Sequence, residues 1–573
     1  MKFGRKLAQI IHGQTESLSP VGLALATLFF AFALTPTLVP RSYITQGVLA
    51  GICFAVGYGM GILGRLVWRY FELPEPEARI RRFANVVAAI VSMAVAIVFL
   101  WQSAAWQNSI RAVMGMPPVE TGHPLKVCLI AFLTFAVILL LARLFKRSTH
   151  FVSKRAGNYV PRRVAGLFGV LLAAVLFWSL ANDLLIRSVF RFLDSSYREF
   201  DALLEPERPQ PLDPKKTGSQ ASLVSWGELG RAGREFVASG PTAHDISSFT
   251  GRPAMEPIRV YVGLGGANNA RARAALALEE LKRQGGFNRS ILIVITPTGT
   301  GWVDPSAMDS VEYLHGGDVA SVAMQYSYLS SPLSLLAQPE YGAEAARALF
   351  LEIYNYWTNL PKDKRPRLYL HGLSLGALNS ARSAELFETL GDPINGALWS
   401  GPPFESRVWR SVTENRNAGS PQWLPEFRDG RFVRFMNQNG SPVPSASPWG
   451  PMRVVYLQYA SDPITFFDYR DLYRQPDWMR SPIGPDVSPE LRWYPVVTML
   501  QLALDMAVAT STPMGHGHVY APEHYIEGWL AVTDVRDWTP EALIALKQHL
   551  RDRARAAESN DDVEGTAYDN RGG

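Results

Sequence analysis

Cysteine is nearly absent from this sequence, which has only two in 573 residues. Both of them, Cys53 and Cys128, lie inside long apolar runs. The rest of the chain therefore has no thiol for a disulfide or a thiolate metal site, and its stability must come from packing. The chain also has little excess of charge of one sign, since the formal net charge is +5. Because Lys and Arg concentrate in the loops between apolar runs, this small excess indicates membrane topology, and we expect no nucleic-acid partner.

The length of the chain requires more than one folded unit, because single hydrophobic cores stop growing at roughly 250–300 residues. Hydropathy differs sharply between the first third and the remainder. We therefore predict an α-helical transmembrane domain followed by an α/β domain. The predicted boundaries are 1–185 for the transmembrane domain, 186–245 for a juxtamembrane helix and linker, 246–550 for the α/β domain and 551–573 for a disordered tail.

Apolar runs in the first third have the length of membrane spans, for which about 17 to 25 residues are usual. A single run of this kind can be a buried core helix, but a succession of five favours a membrane domain. No run carries a cluster of ionisable residues, which argues against a transporter or channel and for an anchor. The five predicted spans are about Val21 to Leu38, Gly47 to Leu63, Phe83 to Trp101, Val127 to Ala142 and Val164 to Ala181.

The Lys and Arg residues of the connecting loops predict an orientation. Basic residues are numerous before the first span, between the second and third, and between the fourth and fifth, and they are few in the other two loops. Cytoplasmic loops carry such an excess. We therefore expect a multi-pass cell-membrane protein whose chain after about Asn182 is extracytoplasmic, an orientation that one helix more or fewer would reverse.

Strand-like and helical segments alternate in the second part of the chain, which is typical of a mostly parallel sheet flanked by helices. The apolar stretch 494–509 is expected to be a core helix, with a pocket wall or a membrane-resting face as the alternatives. The loop-rich insertion 402–451 is a candidate cover for a pocket. The tail from Arg551 has few apolar residues and is expected to be disordered. The predicted strands are 257–262, 290–295, 367–370, 396–399 and 453–457.

The sharpest motif is a G-x-S-x-G pattern at residues 372–376, which places Ser374 between a predicted strand and a predicted helix. A nucleophilic serine on such a turn needs small residues two before and two after it. The following helix directs free N–H groups at the site, where they stabilise a developing oxyanion. The alternative is a serine that caps a helix on a surface turn.

A serine hydroxyl needs a base to take its proton, and that base must be held by a carboxylate. The expected chain order is Ser, then an acidic residue, then His. Asp462 follows a predicted strand and is the preferred acid, although it can also be a turn residue before proline. Asp468, Asp471 and Asp505 are weaker alternatives because they lie farther from a strand end or inside a helix.

Two histidines, His516 and His518, stand ahead of the last predicted helix, where the base is expected. His518 is preferred because it lies closer to that helix, but both remain candidates. A His-Gly-His pattern can also bind a metal. No acidic or cysteine ligands stand nearby in the sequence, so we predict no metal.

The oxyanion donors are predicted to be the N–H of Leu375 and an N–H of the glycine-rich loop at Leu264 and Gly265. That loop can also be a turn without a ligand. It does not match the dinucleotide pattern G-x-G-x-x-G, because Asn268 replaces the third glycine, and no cofactor is expected. The segment 296–304 follows the next strand and either lines the pocket or forms a turn.

Several of these features together resemble a bacterial family of membrane-bound α/β-hydrolases. They are the multi-helix N-terminus, Thr296 to Asp304, Gln325 to Leu329, the Ser374 turn and Gly515 to Tyr520. The resemblance covers most of the chain and implies the α/β-hydrolase fold and a serine nucleophile, but no particular substrate. His371 at the turn departs from the carboxylate that is usual there, which leaves the predicted triad intact.

The expected activity is hydrolysis of carboxylic esters or lipids through an acyl-enzyme at Ser374, since an enzyme tethered to a membrane meets such substrates. An acyltransferase of the cell envelope would use the same acyl-enzyme. A non-enzymatic envelope binding module with a hydrolase-like fold is the alternative from another class, because fold does not fix function. The ordered series of Ser, Asp and His argues against that alternative.

Overall fold

The computed structural model divides into two compact units. The helical unit consists of Met1–Ser188 and Phe467–Thr512, and the sheet unit of Val189–Phe466 and Pro513–Gly573. The juxtamembrane helix predicted from about Arg187 lies outside the described residues. The structure describes residues 19–74, 77–179, 201, 204, 208–329, 334, 339–444 and 446–569.

The N-terminal part of the helical unit is built from long apolar helices. Three of them, α2, α3 and α4, are long and apolar enough to cross a membrane. The first helix is shorter than predicted, with 14 residues. It spans about 21 Å against a hydrocarbon core of about 30 Å. It ends before Pro36, which disfavours helical backbone at the preceding residue. The helices are α1 Pro20–Ala33, α2 Tyr43–Tyr70, α3 Ala78–Val113, α4 Pro124–Ala156 and α5 Arg162–Ser179.

Helix α2 packs closely against two neighbours through two G-x-x-x-G patterns, which begin at Gly47 and Gly57. A Cβ atom added at Gly51 would lie 2.6 Å from a backbone carbonyl oxygen of α4. One added at Gly61 would lie 2.4 Å from a Cα atom of α1. Small residues let helix backbones approach each other closely. The two patterns therefore place α2 between α1 and α4.

Replacing Gly51 or Gly61 by Ala is expected to lower the thermal unfolding midpoint of the detergent-solubilised protein. The added methyl group would meet backbone atoms, and such overpacking costs about 1–3 kcal/mol. Gly59→Ala is the matched control on the same helix, because nothing lies within 4 Å of its added Cβ. Equal midpoints for all three variants would contradict the close packing of α2.

The sheet unit is organised by seven parallel strands in the order β1-β3-β2-β4-β5-β7-β6. The prediction of a mostly parallel sheet flanked by helices is confirmed. The strands are β1 Ile258–Val262, β2 Ile291–Thr296, β3 Val319–Met324, β4 Arg367–Leu373, β5 Gly396–Ser400, β6 Val433–Met436 and β7 Arg453–Leu457. The further α-helices are α6 Gly230–Ala238, α7 Ala243–Thr250, α8 Ala270–Arg283, α9 Pro305–Leu314, α10 Pro339–Thr358, α11 Leu375–Ser383, α12 Leu386–Thr389, α13 Arg407–Glu414, α14 Pro463–Phe466, α15 Val497–Ala507, α16 Pro522–Val532 and α17 Pro540–Asp569.

The register of the sheet brings the ends of its middle strands together. Thr296 at the end of β2 is level with Gly372 of β4, and Leu373 is level with Ser400 at the end of β5. In open parallel sheets ligands bind outside the carboxyl ends of the strands. Residues that follow β2, β4 and β5 therefore lie where a site is expected.

Two strands of this sheet were not predicted from the sequence. Strand β3 is buried throughout but contains Ala and Ser, so its apolar run is weak. Strand β6 lies inside the insertion 402–451, which we expected to be rich in loops, and it pairs with β7 at the edge of the sheet.

The segment Phe467–Thr512, hereafter the 467–512 segment, belongs to the helical unit although the chain around it belongs to the sheet unit. Helix α15 of this segment is part of a hydrophobic core, as expected, but of the core of the helical unit. There Val497 joins a buried cluster with Phe30, Leu49 and Val127.

A buried ion pair joins the 467–512 segment to the connection between α1 and α2. Nε of Arg41 lies 2.9 Å from Oδ1 of Asp505, and neither side chain is exposed. Arg41 also donates to the carbonyl of Ala33 and to Gln46, while Asp505 accepts from the N–H of Leu38. The apolar runs did not predict this buried ion pair. The pair also argues against Asp505 as the acid, because its carboxylate pairs with an arginine and not with a histidine.

Helix α17 continues to Asp569, so residues 551–569 are helical where low apolar content predicted disorder. Ion pairs attach the middle of α17 to two other helices of the sheet unit. Arg551 pairs with Glu523 of α16, and Arg553 lies 3.1 Å from Asp309 of α9. Residues 570–573 lie outside the described part of the chain.

Candidate active site

Ser374 occupies a strained turn between β4 and α11. Its backbone angles are φ 58° and ψ −127°, a region that non-glycine residues rarely adopt. The turn is fixed on the β5 side, where the N–H of Ser374 donates to the carbonyl oxygen of Ser400 at 2.9 Å. On the helix side the carbonyl of Ser374 accepts from the N–H of Leu378. The serine is thus held at the carboxyl end of the central strand.

The glycines two positions before and after Ser374 leave no room for side chains. A Cβ atom at Gly372 would lie 2.5 Å from the backbone of Gly376. One at Gly376 would lie 2.2 Å from the carbonyl oxygen of Thr296, at the end of β2. The spacing that predicted the turn is therefore explained by contacts between the turn, its own helix and the neighbouring strand.

Replacing Gly376 by Ala is expected to destabilise the sheet unit by about 1–3 kcal/mol, because backbone must move to admit the methyl group. Chemical denaturation followed by tryptophan fluorescence would measure the loss. Gly391→Ala is the control, since nothing lies within 4 Å of a Cβ at Gly391. A stability equal to that of the control would show that the turn tolerates a side chain.

Asp462 and His518 form a buried pair. Asp462 follows β7 and is fully buried, and its Oδ2 lies 2.7 Å from Nδ1 of His518. Because a carboxylate can only accept, Nδ1 carries the proton. The other ring nitrogen, Nε2, is left with a lone pair in the neutral ring. This Nε2 is buried and has no hydrogen-bond partner among the residues that the structure describes.

The imidazole of His518 packs against the turn that follows β5. A Cβ atom at Gly401 would lie 2.6 Å from Cε1 of His518. Gly401 takes a positive φ of 49° and directly follows Ser400, whose carbonyl holds the N–H of Ser374. One turn is therefore the common neighbour of the histidine ring and of the serine backbone.

His516, the other candidate, has a different place. Its carbonyl oxygen accepts from the N–H of Val519, and its own N–H donates to Pro513, so it forms part of a tight loop. Of the two histidines, His518 makes the contact with Asp462. In the described part of the chain no group of three or more His, Cys, Asp or Glu residues could hold a metal ion.

Asp462 is held by further donors besides His518. The hydroxyl of Tyr520 donates to Oδ2 at 2.8 Å, and the N–H of Ile464 donates to Oδ1 at 2.9 Å. The hydroxyl of Thr465 lies 3.3 Å from Oδ2. Burial, together with the carboxylate of Asp462, raises the pKa of Tyr520 well above its usual value, so this hydroxyl stays protonated and can donate. The role of Tyr520 was not predicted from the sequence. Its position two residues after His518 was the feature that could have indicated it.

The loop that carries His518 is tied to the loop that carries Asp462. The N–H of Gly517 donates to the hydroxyl of Ser461 at 2.8 Å in a buried bond. The residues next to the histidine and to the aspartate are thus bonded as well, which fixes the two loops together.

Only one of the predicted oxyanion positions lies at the serine. Leu375 is the first residue of α11, directly after Ser374. Leu264 and Gly265 follow β1, which is separated from β4 by two strands and so by about 14 Å at usual strand spacings. The N–H of Leu264 is already bonded to Oε1 of Gln325.

The loop after β2 lies closer to the turn than the predicted glycine-rich loop does. A Cβ atom at Gly376 would lie 2.2 Å from the carbonyl oxygen of Thr296, the last residue of β2, and 2.9 Å from that of Pro297, the first residue of this loop. The loop is held by the hydroxyl of Tyr261, which donates to Gly301, and by Nε2 of Gln325, which donates to Thr300. Of the two alternatives for this segment, its position favours the pocket lining.

Histidine 371, on β4, supports the turn from within the sheet. Its Nδ1 lies 2.8 Å from the carbonyl oxygen of Leu398, and the residue is buried. Burial lowers the pKa of His371 to about 4, so the ring is neutral at physiological pH. A neutral donor to a backbone carbonyl has a structural role.

A seven-stranded parallel sheet whose central strand leads into a strained serine turn, with a buried Asp–His pair beside it, defines the α/β-hydrolase class of folds. A family model described as the alpha/beta-hydrolase family matches residues 258–546, and one described as the N-terminus of that family matches residues 34–241. The chain belongs to the alpha/beta-hydrolase family, as its sequence resemblance predicted. Comparisons with curated proteins and with solved structures found no match.

Proposed function

We propose that this protein is a membrane-anchored serine hydrolase that cleaves carboxylic esters or lipids, with Ser374 as nucleophile, His518 as base and Asp462 as the supporting acid. One observation carries the proposal: the hydrogen bond between Asp462 and His518 leaves a buried Nε2 with no partner among the described residues, on a ring that packs against Gly401, next to the residue whose carbonyl holds the N–H of Ser374. A neutral imidazole nitrogen in that condition is suited to accept a serine proton.

In the proposed acylation, Oγ of Ser374 attacks the ester carbonyl carbon while its proton passes to Nε2 of His518. The negative charge of Asp462 stabilises the imidazolium that forms. The imidazolium then gives its proton to the departing alkoxide, which leaves as the alcohol. In the second half of the reaction His518 takes a proton from water as the water oxygen attacks the acyl carbon. The tetrahedral intermediate then collapses to the carboxylic acid, and the imidazolium of His518 returns its proton to the departing Oγ of Ser374.

The oxyanion of each tetrahedral intermediate needs preorganised donors. The N–H of Leu375 at the start of α11 is the first. In place of Leu264 and Gly265, we assign the second donor to the loop after β2, because that loop contacts the turn at Gly376. The dipole of α11 adds to both, since its N-terminus points to the site.

The helical unit supports the proposed substrate class. Helices α2, α3 and α4 could span a membrane. Large apolar side chains along α3 are exposed, among them Phe83, Ile90 and Trp101. Exposed apolar surface of this extent indicates contact with lipid. An ester hydrolase anchored in this way would meet lipids and acylated envelope polymers, and we place its sheet unit on the extracytoplasmic face.

Labelling with a fluorophosphonate tests the nucleophile directly. The wild-type protein in detergent is expected to be labelled, and Ser374→Ala to lose all labelling because the attacking oxygen is gone. His518→Ala is expected to lower the labelling rate by at least about a hundredfold, since general base catalysis contributes about that factor or more. His516→Ala is the matched control, two residues away, and should keep the wild-type rate.

Three results would contradict this assignment. Unlabelled but folded wild type would favour a binding module, and loss of labelling in His516→Ala alone would exchange the two histidines. Labelling without release of acid from any ester, but with transfer to an added alcohol, would identify an acyltransferase.

The hydroxyl of Tyr520 is expected to support the reaction through Asp462. Tyr520→Phe keeps the ring, which stacks on Tyr459 with centroids 4.4 Å apart, and removes one charge-assisted hydrogen bond. Because such bonds contribute about 1.5–3 kcal/mol, kcat for a p-nitrophenyl ester should fall about tenfold or more. Tyr456→Phe is the control, since that buried hydroxyl has no partner among the described residues. Unchanged kcat in Tyr520→Phe would remove Tyr520 from the proposed mechanism.

A further inference from the structure

A cavity lies in the sheet unit at the amino ends of its middle strands. Its volume is about 360 Å³, which is within the range of sites for small organic molecules. Arg367, the first residue of β4, is part of its lining. Ser374 follows the last residue of this seven-residue strand, so at about 3.3 Å per residue the two positions are roughly 20 Å apart. The cavity is therefore separate from the candidate active site.

Positive charge predominates in the lining of this cavity, hereafter the arginine cavity. Its histidine, His315, adds no charge at neutral pH, because burial and then the neighbouring Arg367 lower the pKa of His315 to about 4. Three cations therefore stand against one anion, and this excess favours an anionic ligand. The charged side chains of the lining are Arg252, Arg367, Arg536 and Asp534.

The single carboxylate of the cavity is shared between two arginines. Oδ2 of Asp534 lies 3.1 Å from Nη1 of Arg367, and its Oδ1 lies 2.8 Å from Nη2 of Arg453, the first residue of β7. Since one carboxylate faces two guanidinium groups, Asp534 does not cancel the positive charge at the amino ends of the strands.

Arginine donors remain available in this cavity. Arg536 is exposed and has no hydrogen bond or ion pair with any residue that the structure describes. Arg252 donates through Nη2 to the carbonyl oxygen of Asp537, and the structure prints no other partner for its guanidinium. A guanidinium has five N–H donors in a planar fork that matches a carboxylate. The two arginines can therefore bind an oxyanion.

The loop that carries Arg536 is held in place before any ligand binds. Nε1 of Trp538 donates to the carbonyl oxygen of Leu314 at 3.0 Å, and the bond from Arg252 to Asp537 is 2.8 Å long. A preorganised site loses less freedom when it binds. Trp538 and Leu314 also line the cavity, so an apolar wall stands beside the arginines.

We propose that the arginine cavity binds a small organic carboxylate, whose oxygens pair with Arg536 and Arg252 and whose apolar body lies against Trp538 and Leu314. Such a ligand uses both the charge and the apolar wall, whereas inorganic phosphate would use the charge alone. The site lies at the other end of the sheet from Ser374, and the proposal does not depend on the proposed hydrolase activity.

Isothermal titration calorimetry of the full-length protein in detergent tests the site with sodium benzoate and sodium hexanoate, and titration into detergent alone is the blank. We expect saturable binding of one carboxylate per chain. Arg536→Gln removes the charge and should weaken binding about tenfold or more, the loss expected for a charge-assisted hydrogen bond. Arg407→Gln is the matched control, because Arg407 is also exposed but lies on α13, which follows the carboxyl end of β5.

Gly316→Asn tests the shape of the cavity. Gly316 is part of the lining, and a Cβ atom added there would meet nothing within 4 Å. Its φ of 59° is one that asparagine adopts. The new side chain is therefore expected to occupy part of the cavity and to weaken benzoate binding, with little change in the thermal unfolding midpoint.

Four results would overturn the proposal. Neither carboxylate binds the wild type; the neutral analogue benzamide binds as tightly as benzoate; inorganic phosphate binds as tightly as benzoate; or Arg536→Gln and Gly316→Asn both keep the wild-type affinity. The first two would remove the role of charge, the third would remove the role of the apolar wall, and the fourth would place the bound carboxylate elsewhere.

Binding at the candidate active site is distinguished by fluorophosphonate labelling of Ser374 with and without saturating benzoate. The labelling rate is expected to be the same in both, because the arginine cavity is at the opposite end of β4. Slower labelling that Arg536→Gln does not relieve would place benzoate at the active site and overturn the proposal. Wild type that binds benzoate but is never labelled would refute the proposed function and leave the carboxylate site standing.

Discussion

The constraint on which the sheet unit depends is the absence of two side chains around Ser374. Strand β2, strand β4 and helix α11 meet there so closely that a single methyl group at Gly372 or Gly376 would overlap backbone atoms. This closeness lets the carbonyl of Ser400 hold the strained serine from the other side. Because these three elements meet at the Ser374 turn, the start of α11 and the loop after β2 lie next to each other there.

The helical unit depends on a different constraint, which is the burial of charge. An arginine and an aspartate that are far apart in the sequence share one buried site and are surrounded by amide, hydroxyl and carbonyl partners. Apolar packing alone could be satisfied in several registers. A buried ion pair with directional hydrogen bonds is satisfied in one, so it defines how α15 lies against the N-terminal helices.

Local patterns predicted most of the sheet and the main residues of the candidate site. The strands β1, β2, β4, β5 and β7 were visible because each is a short run of apolar residues bounded by turn signals. The two glycines predicted the position of Ser374. Chain order gave Asp462 as the preferred acid and His516 or His518 as the base, with His518 preferred because it lies closer to the last helix. These predictions depend on spacings of a few residues, which a sequence displays directly.

The features that were missed depend on contacts between distant residues. Nothing near Asp505 in the sequence indicates that its partner is Arg41, and the apolar run around it fits the core of either unit. The sequence predicted the second oxyanion donor at Leu264 and Gly265 because it does not show the order of the strands in the sheet. In the sheet, β3 lies between β1 and β2, which moves the glycine-rich loop away from the serine. Sequence patterns give the elements but not their order in space.

The return of the chain to its first helices has a consequence for synthesis. Arg41 and Asp505 are separated by 464 positions. At a translation rate of roughly 5–20 residues per second, this interval lasts on the order of half a minute to a minute and a half. During that time the guanidinium of a nascent chain has no carboxylate partner, and the helices that have already emerged cannot adopt their final packing. The N-terminal part is made first but is completed nearly last.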